Sequence, residues 1–254
     1  MKIAVAGGTG VVGSYAVEAA TAAGHDVVVL SRRRGVDVAT GSGLAAALDG
    51  VDVVIDVMNS PSLNRKKAMT FFIETSTRLQ DTGAAAGVKH IVTLSIVGID
   101  KVPGYGYYQA KLAQEAAVAG GSLPVTIVRA TQFHEFPAQI LSRTHRGPIA
   151  LIFRMRTQPI AARTVGSELV SVASGEPGGS MVEIAGPDVF ELPDLARRVL
   201  ASQGVRTRLV TMPVPGRAGA EMRSGAVLAT PSTRIVGPAF DDWLASADGH
   251  RIKV

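Results

Sequence analysis

Apolar residues along the chain fall into two alternating patterns. Lys2–Ala6, Asp26–Leu30, Val51–Met58, His90–Ser95 and Val125–Arg129 are short runs rich in Val, Ile and Leu without polar alternation. Such runs suit strands covered by helices on both faces. Between them lie Val11–Ala23, mostly small apolar residues with Glu18 outward, then Gly43–Leu48, Arg65–Ala86 and Tyr107–Ala119, which predict helices. Strand and helix in strict alternation predict an α/β chain with a doubly wound parallel sheet. The interval from Leu30 to Gly43 is too short for a full crossover, so Val36–Val38 is expected to supply at most a short edge strand. Beyond Phe133 the rhythm changes, with Pro137, Pro148, Pro159, Pro177, Pro187 and Pro193 separating shorter elements. The division expected is a sheet domain over residues 1–132, with residues 133–254 forming a small lobe over the sheet's carboxyl edge and completing the sheet.

Composition narrows the partners. The chain has 254 residues, 46% hydrophobic and 19% charged, enough for a substantial core and incompatible with disorder. Lys and Arg number 26 against 21 Asp and Glu, a surplus of five that favours anionic ligands in general. The charges are spread, so no basic arm predicts a nucleic-acid partner. With no cysteine, disulfides, thiolate metal sites and cysteine nucleophiles are excluded, which fits an intracellular address. Gly7, Gly8, Gly10 and Gly13 interrupt what would otherwise resemble a signal peptide, and no apolar run has the length of a membrane span. A soluble cytoplasmic protein, monomer or homodimer, acting on a small molecule is expected.

The glycines carry the first chemistry. Gly7-Gly8-Thr9-Gly10-Val11-Val12-Gly13 lies between the first strand and the first helix. There, glycine lets the backbone approach a pyrophosphate, and the helix N-terminus offers free N–H groups and a positive dipole end. This position predicts a dinucleotide site, held by Gly7, Thr9, Gly10, Val11, Val12 and Gly13, in a Rossmann-type sheet. The second strand should end at the adenosine ribose, where NAD-binding proteins place a carboxylate. This chain has Ser31-Arg32-Arg33-Arg34 instead. A hydroxyl and guanidinium groups bind a 2′-phosphate that a carboxylate would repel, so NADP(H) is the expected cofactor, with Ser31, Arg32 and Arg33 as contacts. Asn59, after a central strand, either touches the adenosine half or caps a turn.

Tyr107 and Lys111 lie four apart on one helix face, and Ser95 ends the preceding strand at the edge where such sheets bind ligands. A phenol serves as acid or base near neutrality only when its anion is stabilised, and a nearby ammonium does this while also reaching the nicotinamide ribose. Ser95 would hydrogen-bond the substrate oxygen. Tyr105 and Tyr108 are rival phenols, and spacing selects Tyr107. His134-Glu135 lacks a second histidine at helix spacing, so no metal site is expected.

These residues together resemble the short-chain dehydrogenase/reductase superfamily, in its atypical, NmrA-like branch. The resemblance spans the Gly7–Gly13 turn, Ser31-Arg32, Val51–Asn59, Leu94–Gly98, Tyr107–Lys111, Arg129–Phe136 and Ala185-Gly186-Pro187. It implies NAD(P) at the sheet's carboxyl edge and hydride transfer with Tyr as acid/base, Lys orienting the cofactor and Ser the substrate. It also implies that Gln132 through Phe136 line the nicotinamide pocket, with Phe133, His134 and Phe136 as its wall, although a turn packed beneath the lobe fits them equally. Some relatives lack the tyrosine and act as dinucleotide-sensing regulators; this chain keeps Tyr-x-x-x-Lys, although only a short interval separates Ser95 from Tyr107. The expected activity is an NADPH-dependent reductase of a small carbonyl compound or quinone, with a non-catalytic NADP(H) sensor as the alternative. A sugar-nucleotide epimerase or dehydratase ranks last, because the lobe is small for such a substrate.

Overall fold

A computed structural model describes residues 1–62 and 64–254. Its elements run β1 (Lys2–Ala6), α1 (Val11–Ala22), β2 (Asp26–Leu30), α2 (Leu44–Ala47), β3 (Val53–Asp56), α3 (Arg65–Ala86), β4 (His90–Ile96), α4 (Gly106–Ala119) and β5 (Val125–Ala130). They continue α5 (Phe136–Thr144), β6 (Ile149–Arg154), β7 (Arg156–Thr157), α6 (Ala162–Ala173), β8 (Met181–Ala185), β9 (Phe190–Glu191), α7 (Leu192–Ser202), β10 (Arg208–Pro213), α8 (Gly216–Ser224), β11 (Arg234–Ile235), α9 (Phe240–Leu244) and α10 (Ala247–Arg251).

A seven-stranded sheet has the order β11-β8-β5-β4-β3-β1-β2. β1 pairs in parallel with β2, from Lys2 opposite Asp26 to Ala6 opposite Leu30, and with β3, where Ala6 faces Asp56. β3 pairs in parallel with β4, and β8 with β11. Helices connect the central parallel strands, as a doubly wound Rossmann-type fold requires. β2 is the sheet's edge. Val36–Val38 forms no edge strand: Asp37 and Ser42 make one isolated antiparallel bridge within a turn. Val36 and Val38 instead turn inward, joining Leu30, Leu44 and Leu48 in the core, so the short crossover is stabilised by burial rather than by strand pairing.

The chain divides into two compact units, and neither is contiguous. The first contains Met1–Ser95, Gly106–Arg129 and Arg163–Val182; the second contains Ile96–Tyr105, Ala130–Ala162 and Glu183–Val254. The first holds β1 to β3, most of β4 and β5, and a core of Ala4, Ala6, Val54, Leu79 and Ile91. In the second, β6 and β10 pair in parallel, β7 and β9 antiparallel. Helix α7 buries Leu192, Leu195, Ala196 and Val199, the stripe that helical periodicity dictates. Among the described residues no helix is long and apolar enough to cross a membrane.

Candidate functional site

The glycine turn is built by close approach. Gly7 adopts φ +81°, a left-handed conformation that glycine takes without strain. The Gly10 N–H then closes the turn on the Gly7 carbonyl at 2.9 Å. A Cβ at Gly13 would lie 2.1 Å from that same carbonyl oxygen, so only glycine lets α1 pack this near to β1. Gly10 caps α1 without a side-chain hydrogen bond, and the first-turn N–H groups have no partner within the helix.

A cavity of about 480 Å³ opens beside this turn, wholly within the first unit. Gly7, Thr9 and Gly10 form one side, Ser31 and Arg32 another, and Asn59 a third. These six expected contacts are brought together. Val11, Val12, Gly13 and Arg33 do not line the cavity: Val11 is 45% exposed, Val12 and Gly13 are buried beneath the turn, and Arg33 points outward from a short 3₁₀ turn. Ser31 is only 9% exposed and lines the cavity, yet its Oγ has no hydrogen-bond partner. A buried hydroxyl without a partner costs free energy that a bound acceptor or donor restores.

Sequence reasoning missed the rest of the wall, formed by Leu30, Val36–Ala39, Val57, Met58, Pro61 and Phe71. Arg78 on α3 donates from Nη1 to the carbonyls of Val38 at 2.9 Å and Ala39 at 2.7 Å, fixing the segment that stands where a strand would. The close spacing of Val36 and Val38 was the available signal that this segment turns inward.

On α4, the Tyr107 hydroxyl donates to Asn59 Oδ1 at 2.8 Å, which puts the phenol beside a cavity-lining side chain. Tyr108, 6% exposed, is buried, and Tyr105 lies in the second unit, where burial pushes its phenol up. Lys111 is 5% exposed and donates to the Leu94 carbonyl at 2.7 Å and to Gln114 Oε1. Its ammonium lies 4.9 Å from the Phe72 ring centroid, and Tyr107 packs edge-on against that ring at 6.2 Å. Burial lowers the Lys111 pKa to about 8, opposed by the charges of Asp56 and Glu115. Burial raises the Asp56 carboxyl, opposed by the Met58 N–H. Ser95 is 2% exposed and its Oγ, like that of Ser31, is buried without a partner.

Phe133, His134 and Phe136 belong to the second unit. His134 is fully buried, packed against Phe240 and Trp243 at 5.2 and 5.1 Å, with Nε2 at 3.2 Å from the Pro238 carbonyl. Desolvation lowers its pKa to about 4, as expected of a core imidazole. Phe136 packs edge-on against Phe153. Glu135 accepts the Ala162 N–H at 3.3 Å, its other oxygen has no partner, and burial raises its pKa to about 7.

The family model described as NAD(P)H-binding matches residues 7–150. No curated protein matches the chain in sequence. Among solved structures, MoeE5 in complex with UDP-glucuronic acid and NAD is similar at 17% identity and TM-score 0.72, over 93% of this chain and 95% of that one. A short-chain dehydrogenase/reductase superfamily protein from Agrobacterium tumefaciens with bound NAD is similar at 17% identity and TM-score 0.70, over 99% and 97%. The UDP-N-acetylglucosamine 4-epimerase from Bacillus cereus is similar at 16% identity and TM-score 0.66, over 94% and 99%. At these identities the likeness is one of fold.

Proposed function

The chain belongs to the NAD(P)H-binding family, and from that premise we propose that it is an NADPH-dependent oxidoreductase reducing a small carbonyl compound or quinone. The observation that carries the cofactor preference is Ser31, whose buried, unpartnered Oγ lines the cavity beside Arg32. The residue directly after β2 is Ser31 rather than a carboxylate, Asp37 further along the same wall accepts the Ala39 N–H at 2.9 Å, and Arg32 offers a planar fork of donors to a 2′-phosphate. The turn N–H groups receive the pyrophosphate.

When bound, NADPH supplies the hydride. Ser95 Oγ orients the carbonyl oxygen, and Tyr107 gives that oxygen its proton, leaving an alcohol and the oxidised cofactor. Lys111 favours the phenolate left behind. Tyr107 is chosen over Tyr108 because its hydroxyl already meets the cavity at Asn59.

The test is NADPH oxidation, followed by loss of absorbance, with quinones, ketones and aldehydes, wild type against Tyr107→Phe. UDP-glucose, with which a structurally similar protein is solved, has no free carbonyl and is tested separately, for reduction of NADP⁺. Turnover should fall about 10²- to 10⁴-fold in the variant while NADPH still binds. A second reading, a non-catalytic NADP(H) sensor, is favoured by Lys111, whose ammonium is engaged by Leu94, Gln114 and Phe72 rather than presented to a ligand. NADPH binding without turnover on any substrate would select it.

A further inference from the structure

Asp56 ends β3 with no exposure, and the proposed chemistry makes no use of it. Its two carboxylate oxygens have different duties. Oδ1 accepts the Met58 N–H at 3.0 Å, and Oδ2 accepts a hydrogen bond from Gln114 Nε2 at 2.9 Å. Gln114, also fully buried, spends its own carbonyl oxygen on the Lys111 ammonium. The ammonium has three N–H donors; Leu94 O and Gln114 Oε1 take two, and the Phe72 ring covers another face. A continuous polar chain therefore runs from the Met58 backbone through Asp56 and Gln114 to Lys111. One end touches the cofactor cavity, which Met58 and Asn59 line, and the other lies beneath the ring against which Tyr107 packs.

We propose that Asp56 and Gln114 are positioning residues, holding the Lys111 ammonium against Phe72 so that it acts on the Tyr107 phenol through space, and tying it to the Met58–Asn59 wall of the cofactor cavity. The proposal rests on the reading of Tyr107 as proton donor. It departs from the expectation that Lys111 reaches the nicotinamide ribose, because two protein acceptors and the Phe72 ring engage the ammonium. A purely structural role would be served as well by apolar side chains of similar volume, since buried charges are costly to desolvate.

The charged groups facing Lys111 are Asp56 from β3 and Glu115 from α4, the latter held by Arg129 of β5 at 2.8 Å. α3 contributes the Phe72 ring and β4 the Leu94 carbonyl. Burial draws the ammonium toward its neutral form and Asp56 opposes this. Removing the Asp56 charge therefore weakens the cation, and the phenol should become harder to ionise.

The phenol is read directly, without a substrate, by ultraviolet titration of tyrosinate in the NADP⁺-saturated protein, subtracting the Tyr107→Phe curve. Gln114→Met, similar in length and uncharged, should raise the Tyr107 proton affinity about tenfold, about one pH unit, with NADP⁺ affinity unchanged. Asp56→Asn should do the same, because the charge is lost and its amide meets the Gln114 amide, while its remaining carbonyl oxygen still accepts the Met58 N–H and leaves NADP⁺ affinity unchanged. The double variant Asp56→Asn with Gln114→Glu keeps one carboxylate and one amide in reversed order, and should restore the phenol. If Asp56→Asn does not fold, Gln114→Met alone decides. A lowered Tyr107 titration that neither Gln114→Met nor Asp56→Asn moves would overturn the inference and leave the proton-donor reading intact. A wild-type phenol titrating as an ordinary tyrosine, near 10, would remove both.

Discussion

Gly13 shows how much a single atom can decide. A Cβ there would stand 2.1 Å from the Gly7 carbonyl oxygen, whereas one at Gly10 would stand 3.3 Å from the same atom. Gly13→Ala must push α1 from β1 and should cost about 1–3 kcal/mol, the range of an overpacked core. It should also weaken NADPH binding, with Gly10→Ala milder on stability; urea denaturation and cofactor titration of both variants check this. Equal stability losses would show that the turn yields where its packing says it cannot. This requirement was legible because glycine spacing is local. The surroundings of Lys111 were not: its partner Gln114 is close in sequence, but Asp56 lies 58 positions from Gln114 and meets it only when β3 and α4 are packed. The Tyr107–Asn59 contact spans 48 positions and was hidden for the same reason, although each residue could be singled out alone.

Among the elements, α3 was readable from end to end because Arg65–Ala86 is bounded by Asn64, whose side chain accepts the Lys67 N–H, and by Gly87 at φ +79°. Strand β6 was not, since Ile149–Arg154 reads as a mildly apolar stretch whose partner β10 begins at Arg208. The start of α5 was misleading in another way. His134 and Glu135 look like site chemistry in sequence, but both are buried, with opposite consequences for protons. His134 drops from 6.5 to about 4, so between those values the unfolded chain holds a proton that the folded one lacks, and stability rises with pH by about 3 kcal/mol. Glu135 rises from 4.5 to about 7, so there the folded chain holds the extra proton, and stability falls as pH rises. Between pH 4.5 and 6.5 the two effects oppose and this pair contributes a nearly flat profile. Glu135→Gln should unmask the histidine. Its unfolding free energy should climb with pH across that window by about one proton's slope, relative to wild type, in urea melts at several pH values. Profiles parallel to wild type would mean that Glu135 is not held protonated by burial, and a Glu135→Gln profile that stays flat would mean that His134 is not held neutral.

At the scale of the whole molecule, a surplus of five positive charges draws anions without choosing among them. The choice between NADPH and NADH therefore falls to the few groups after β2. Because the cavity lies within the first unit, a dinucleotide bound there stabilises the folded chain by mass action. At a hundred times its dissociation constant the gain is about 2.7 kcal/mol, which for a chain of this length corresponds to a melting temperature higher by about 5–10 °C. On the proposed reading, in which Ser31 and Arg32 contact the 2′-phosphate that NADH lacks, NADPH should produce this shift at concentrations where NADH produces little. In Ser31→Asp the order should reverse: a carboxylate beside the cavity repels the phosphate and hydrogen-bonds the free 2′-hydroxyl. Thermal melts of both proteins with each cofactor measure all four combinations. Equal wild-type shifts would mean that this segment does not discriminate, and the buried Ser31 hydroxyl would then be serving the ribose that both cofactors share.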